Sequence, residues 1–183
     1  MSSAGIVCAK SAGYEADDFL ATAAAREEVS GGTALVATSD RDAFQLVSEQ
    51  TTVLQPVRGA APVRIGPPEV RERYGVEPLQ VPDFIALRGD PSDRIPGARG
   101  IGSKRAAELL ARYRSLEEIL DDGRFAAEAD ALRLFKRLAT LDREAPAPPA
   151  PDLQPDWAAA ARYADELGLA ALARRLREAA SSM

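Results

Sequence analysis

Thr33-Ala34-Leu35-Val36-Ala37-Thr38-Ser39-Asp40-Arg41-Asp42-Ala43-Phe44-Gln45-Leu46 is the stretch on which the fold turns. Its first five residues are a short apolar run between turn signals, which predicts a buried parallel strand. Thr38–Asp42 is then the loop at the carboxyl end of that strand, and Ala43–Val47 starts a helix. Upstream, Phe19, Leu20, Ala23 and Ala24 recur at helical spacing and predict a helix over 16–29, stopped by Gly31-Gly32. Before it, Ile6-Val7-Cys8-Ala9 is expected to form a short buried strand. Downstream, Thr52–Gln55 is the next strand, and strands end after Val63-Arg64-Ile65. The alternation predicts an open α/β sheet with right-handed crossovers.

The rest reads as helical. Pro67-Pro68 opens a helix running to Tyr74, and Pro82 opens another running to Leu87. Gly89–Gly102 is rich in Gly, Pro and Asp and is turn-dominated. Ser103–Tyr113 is a helix with Ser103 as its expected N-cap. Further helices are expected over 116–120 and 126–138. Ala145–Pro151 is a stiff Pro-rich connector. Residues 157–180 form one or two helices broken near Gly168. The expected parts are 1–66, the α/β part; 67–144, the helical part; and 145–183, the connector with the C-terminal helices.

Composition narrows the chemistry. In 183 residues the net charge is −5, there is no His and there is one Cys. That excludes imidazole bases, Ser–His and Cys–His nucleophiles, His-ligated zinc, disulfides and thiolate clusters. A protein that coats nucleic acid indiscriminately is basic overall, so any nucleic-acid site here is local. No stretch approaches the eighteen or so apolar residues of a membrane helix. The remaining hard chemistry belongs to carboxylates, which bind magnesium or manganese.

Three acidic clusters stand at element ends: Glu15-Ala16-Asp17-Asp18, Asp40-Arg41-Asp42 and Asp90-Pro91-Ser92-Asp93. The carboxyl ends of strands are where open α/β sheets bind ligands. Seven carboxylates suffice for two metals about 3.5–4 Å apart, which clamp the attacking and leaving oxygens of a phosphodiester. Taken singly, each cluster also reads as helix capping or turn formation.

A basic hairpin follows. Between Arg94 and Arg114 there are six bases and one acid, Glu108. Within it lies Arg99-Gly100-Ile101-Gly102-Ser103-Lys104-Arg105. Gly100 and Gly102 allow unusual φ and close backbone approach, with Ile101 as the anchor. The new helix offers free N–H groups and the positive end of its dipole to an anion. Lys104 and Arg105 disfavour that dipole end unless a phosphate sits there. Nothing here reads base edges, so structure-dependent binding of the phosphate backbone is expected. The bland alternative is a tight helix–helix turn with a solvated basic face.

Gly13-Tyr14-Glu15-Ala16-Asp17-Asp18, Thr38–Leu46 and Gly89–Gly97 with Gly100–Lys104, in this order and spacing, resemble the bacterial 5′→3′ exonuclease and flap endonuclease family. That family includes the 5′-nuclease domain of DNA polymerase I. The resemblance covers nearly the whole chain and weakens after Leu120. It implies a PIN-like (resolvase-like) parallel sheet followed by an all-α helix-three-turn-helix (SAM-fold-like) subdomain. It further implies DNA repair or replication in a bacterial cytoplasm beside the nucleoid, and two-metal hydrolysis near a 5′ end or flap. Carried over by position, Glu15, Asp17 and Asp18 belong with the first metal. Asp40, Asp42, Asp90 and Asp93 belong with the second and are the catalytic set. Arg99, Gly100, Ile101, Gly102, Ser103, Lys104 and Arg105 hold DNA. Mg²⁺ or Mn²⁺ is the implied cofactor, with K⁺ on the hairpin carbonyls.

Family members carry metal-binding strands and a helical arch before the position of Glu15, where this sequence has fourteen residues. The chain therefore reads as lacking the family's N-terminal part. Impaired activity, low stability and association with another chain through exposed sheet edges are expected from that. Arg94 stands where the family carries Asn, and Arg105 where it carries Thr. Two other readings stay open: a non-catalytic DNA-binding module, and a phosphatase or phosphotransferase built on Asp40-Arg41-Asp42.

Overall fold

A computed structural model describes residues 5–149 and 154–181. Three short strands, β1 (Ala34–Ala37), β2 (Thr51–Gln55) and β3 (Val63–Ile65), form one sheet in the order β1-β2-β3. Val36, Val53 and Ile65 lie in one row across it, and all three are buried. β-Branched side chains suit this pleated, half-buried surface. β1 and β2 are parallel, as expected, but β2 and β3 are antiparallel. The physical reason is length: residues 56–62 are too few for a parallel crossover, which takes a dozen or more. The β1–β2 connection is long enough. It carries a 3₁₀ turn, Asp42–Leu46, where an α-helix start was expected.

The sheet's first helix is α1 (Ala16–Val29), whose Ala21 and Ala24 join the core. The outer edge of β1 pairs with no strand among the described residues, and Leu35 on it is 53% exposed. Ile6–Ala9 forms no strand. Ile6 and Val7 are exposed, because no neighbouring strand among the described residues supplies a hydrogen-bonded ladder.

After β3 come α2 (Pro67–Tyr74), α3 (Val81–Arg88), α4 (Ser103–Tyr113), α5 (Leu116–Asp121) and α6 (Ala129–Ala139). α3 is buried along almost its whole length, from Val81 to Leu87, and packs against α4 and α6. The cost of burying Asp83 there is offset by Lys136 of α6, whose Nζ lies 2.6 Å from Asp83 Oδ1. Burial still pushes the Asp83 carboxyl above its ordinary range.

Residues 17–145 form one compact unit; residues 1–16 with 146–183 form another. In the latter, α7 (Trp157–Glu166) starts at Asp156, whose carboxylate accepts from Ala159 N at 2.7 Å. α8 (Ala170–Ser181) follows the turn at Gly168, and Ala161, Ala164 and Ala173 are buried between small faces. Of the Pro-rich connector, 146–149 has no regular structure, and its last part lies outside the described residues. No helix among the described residues is long and apolar enough to cross a membrane.

Candidate metal and nucleic-acid site

The 3₁₀ turn after β1 and the loop after α3 bring their acids together. Asp42, Asp90 and Asp93 each present a carboxylate oxygen, all within 4.8 Å of one another. Asp42 is the first residue of the 3₁₀ turn. Its N–H donates to Asp40 Oδ1 at 3.0 Å, and Asp40 N–H donates in turn to Thr38 Oγ1 at 3.0 Å. This Asx-type turn holds Asp40 beside the cluster. Burial raises the Asp42 pKa, and the charges of Asp40, Asp93, Asp90 and Asp17 add to it, so that it reaches about 7. Three acids at this separation repel one another, and a divalent cation removes that cost. The donor set is all oxygen, which suits magnesium or manganese.

Asp90 is braced differently. Burial alone would raise its pKa, but hydrogen bonds from the Ser92 hydroxyl and amide and the Arg88 charge outweigh it, and the pKa is lowered. The amide bond, Ser92 N to Asp90 Oδ1, is 2.9 Å, and Arg88 Nη2 lies 3.0 Å from Asp90 Oδ2. Arg88 is itself seated over the rings of Phe84, at 5.1 Å, and Tyr74, at 5.8 Å. Asp90 and Ile95 exchange two backbone hydrogen bonds of 2.8 Å, which close the loop between them. Ser39, Arg41, Tyr74 and Pro91 complete a cleft of about 510 Å³ around these acids.

The loop includes one strained residue, Arg94, with φ +59°. A non-Gly residue there is uncommon, and Asn tolerates the conformation several-fold better. Arg94→Asn is expected to stabilise the protein by about 0.5–1 kcal/mol, read as an increase in the urea midpoint at unchanged slope.

The first cluster is placed less uniformly. Asp17 and Asp18 stand in the first turn of α1. Asp17 acts on Asp42 through its charge. Asp18 Oδ1 accepts from Asp142 N at 2.9 Å, and Thr22 Oγ1 donates to Asp142 O at 3.3 Å, so Asp18 ties α1 to the segment after α6. Glu15 immediately precedes α1 and is exposed.

In the basic hairpin, Ile101 N donates to Ala98 O at 3.1 Å, and Ile101 packs against the core. Gly100 has φ +74°, the left-handed conformation expected of it. Gly102 does not need that freedom: its φ is −100°, and it, rather than Ser103, is the N-cap of α4. Ser103 is already helical, so its hydroxyl does not cap the helix, and the first N–H groups keep no side-chain cap. A Cβ at Gly102 would meet nothing within 4 Å, which leaves the backbone open to close approach. Arg99, Ser103, Lys104 and Arg105 are exposed around it.

Two side chains that the sequence reading passed over organise the carboxylates. One is Arg88, described above. The other is Gln45, which is buried. Its Nε2 donates to Asp42 O at 2.9 Å and to Ala139 O at 2.8 Å, while its Oε1 accepts from Leu141 N at 3.0 Å. The turn carrying Asp42 is thereby bound to the end of α6. A polar residue next to Phe44 at an otherwise apolar position was the available signal.

Known proteins match most of this chain. The family model described as 5′-3′ exonuclease, N-terminal resolvase-like domain matches residues 1–75. The model described as 5′-3′ exonuclease, C-terminal SAM fold matches residues 76–158. DNA polymerase I of Mycobacterium tuberculosis (strain H37Rv) is 44% identical over 164 residues, which is 82% of this chain and 18% of that protein. The chain thus spans about a fifth of the length of this curated relative. A solved structure of bacteriophage T5 5′-exonuclease with bound zinc superposes with a TM-score of 0.62 at 19% identity, covering 91% of this chain and 60% of that one. The T5 flap endonuclease solved as a complex with DNA and metal ions gives 0.63 at 18% identity, with coverage of 91% and 60%. These structures share the fold, and the family models and the relative establish descent: the chain belongs to the 5′-3′ exonuclease family.

Proposed function

We propose that this chain binds DNA at 5′ ends or flaps and hydrolyses phosphodiester bonds with divalent cations held by its carboxylates. The observation that carries this reading is the convergence of Asp42, Asp90 and Asp93 within 4.8 Å. Asp42, Asp90 and Asp93, with Asp40 beside them, would hold Mg²⁺ or Mn²⁺; Glu15, Asp17 and Asp18 belong to the first metal. When bound, the cations supply Lewis acidity and charge neutralisation for attack by water. Water's oxygen forms the new bond to phosphorus, the bond to the leaving oxygen breaks, and that oxygen takes up a proton. The residues of this chain do the positioning. Arg88 and Ser92 orient Asp90, and Gln45 holds the Asp42 turn. Arg99, Gly100, Ile101, Gly102, Ser103, Lys104 and Arg105 receive the phosphate backbone at the start of α4. K⁺ on the hairpin carbonyls belongs to the same reading, as does addition of another chain's strand along the edge of β1 that pairs with no strand among the described residues.

The test uses a 5′-labelled flapped duplex with Mn²⁺ and, separately, with chelator. Cleavage is expected with Mn²⁺ alone. Asp42 must lose its proton to bind a cation, and its pKa is about 7. At Mn²⁺ well below saturation, cleavage is therefore expected to fall by up to about tenfold per unit as pH drops below that value, and added Mn²⁺ should shift the fall to lower pH. In the metal-free protein the sign is reversed. A pKa raised above the unfolded value means that this group's contribution to stability is present below about pH 4 and is lost as pH rises through about 7. Salt-sensitive binding without cleavage in either metal condition would leave the non-catalytic DNA-binding reading in its place.

A further inference from the structure

A groove of about 570 Å³ lies along the outer face of α4, past the hairpin. Arg99, Arg105, Arg112 and Arg124 line its walls, with Glu108 the one acid among its lining residues. Its apolar lining is Ile101, Leu109 and Phe125. The guanidinium groups of Arg99, Arg105 and Arg112 form no ion pair among the described residues, although Glu108 is at hand and Glu128 Oε2 accepts from the Arg99 backbone N–H at 3.0 Å. Arg105 and Arg112 are seven residues apart, about 10 Å along the helix. Arg124 donates to the Tyr113 hydroxyl at 2.9 Å and lies 3.4 Å from Asp122. Arg124 and Arg112 both stack on the Tyr113 ring, at 5.3 and 5.0 Å. Phe125 is a second, independent observation. It is an aromatic residue held at φ +54°, an outlier for a bulky side chain, and it remains partly exposed in the groove.

Exposed guanidinium groups, those of Arg105 and Arg112 without an ion pair and that of Arg124 shared with Asp122, stand around an apolar floor that includes an aromatic ring, and this matches the chemistry of single-stranded nucleic acid. Phosphates take the positive walls and bases take the aromatic face, without sequence preference. Duplex offers its phosphates but keeps its bases stacked inside, so the floor would go unused. We infer that the groove binds a single-stranded segment of nucleic acid, with phosphates on Arg105, Arg112 and Arg124 and a base against Phe125. The inference rests on the proposed DNA-binding reading and carries it from the hairpin, with which the groove shares Arg99, Ile101 and Arg105, along α4 to a single-stranded segment.

The test measures binding of a labelled short oligo-dT and of a blunt duplex to the full chain, in chelator, across a salt series. Arg112→Ala with Arg124→Ala changes two exposed groove residues outside the hairpin. The double variant is expected to weaken oligo-dT binding about tenfold or more. The slope of log affinity against log salt should become shallower by about 1.4, from two lost phosphate contacts. Phe125→Leu should weaken oligo-dT binding about tenfold with the slope unchanged. Blunt-duplex affinity should stay within about twofold for both variants. An unchanged oligo-dT slope in the double variant overturns the inference, as does an equal loss for oligo-dT and duplex, which would make the groove part of a duplex site. Lys104→Ala separates this from the hairpin reading. If it leaves duplex affinity untouched while the groove variants lose oligo-dT, the hairpin assignment fails and the groove stands.

Discussion

Asp42→Asn is expected to lower metal-dependent cleavage at least about a hundredfold and to make the metal-free protein more stable at pH 8. Both effects come from the same carboxylate. Asp42 is half-buried among Asp40, Asp90, Asp93 and Asp17, and its raised pKa records the cost of charging it there. Asn keeps the shape and removes the charge, so the metal-free fold is relieved of that cost. It also removes a proposed ligand from the centre of the cluster, and at a metal site losing even an outer partner typically costs 10–100-fold. Two measurements check this: cleavage of the flapped duplex with Mn²⁺, and thermal unfolding in chelator at pH 8. Added Mn²⁺ should then raise the midpoint of the parent protein and leave that of the variant in place. Asp90→Ala with Asp93→Ala should abolish cleavage equally but should destabilise. Asp90 also accepts the Ser92 amide and pairs with Arg88, and those donors would lose their partner. A gain in stability for one variant and a loss for the other, with both inactive, separates charge repulsion from loop bracing. Retained cleavage in Asp42→Asn would remove Asp42 from the metal site.

How far the site could be read in advance depended on the range of the interactions. Strand residues 34–37 and 51–55, the helix after Pro67-Pro68 and α4 follow from local apolar pattern, proline position and turn residues, and they stand where expected. The acids of the Asp40–Asp42 and Asp90–Asp93 motifs were legible because their spacing and order carry a family resemblance. What joins them was not. Gln45 reaches Ala139 and Leu141, more than ninety residues away. Asp83 reaches Lys136 on another helix. Such pairs leave no periodic trace, because each member alone reads as an ordinary polar residue at a helix or turn. The errors have the same origin. Ile6–Ala9 has the composition of a strand but no partner strand among the described residues, and strand propensity without a ladder is weak. β3 runs antiparallel because of the length of its connection, a constraint that a reading of apolar runs alone overlooks. Ser103 has the chemistry of a cap, yet the chain enters α4 one residue earlier, at Gly102.

Gly97→Ala is expected to destabilise the protein by roughly 3 kcal/mol or more, whereas Gly100→Ala should cost about 1 kcal/mol. The two glycines have nearly the same backbone conformation, φ +73° and φ +74°. Torsion alone would therefore make them equal, at about 1–2 kcal/mol each. Their surroundings differ. A Cβ on Gly97 would stand 2.4 Å from Gly89 N and 2.6 Å from Arg88 C, both backbone atoms that cannot swing aside. A Cβ on Gly100 meets nothing within 4 Å. The Gly89–Gly97 crossing is where the loop bearing Asp90 and Asp93 returns against the end of α3. Ala98 N donates to Leu87 O there at 2.8 Å, and Gly89 N donates to Ile85 O at 2.8 Å. Forcing the crossing apart shifts both acids relative to Asp42, so Gly97→Ala should also lose Mn²⁺ affinity, measured on the fraction that remains folded. Gly100→Ala should keep Mn²⁺ affinity and lose duplex affinity, because its methyl group occupies space from which a phosphate would approach the hairpin. Urea denaturation of the two variants side by side decides the point. Equal losses would mean that the backbone torsion alone sets the cost, and that the Gly89–Gly97 crossing does not hold the acidic loop in place.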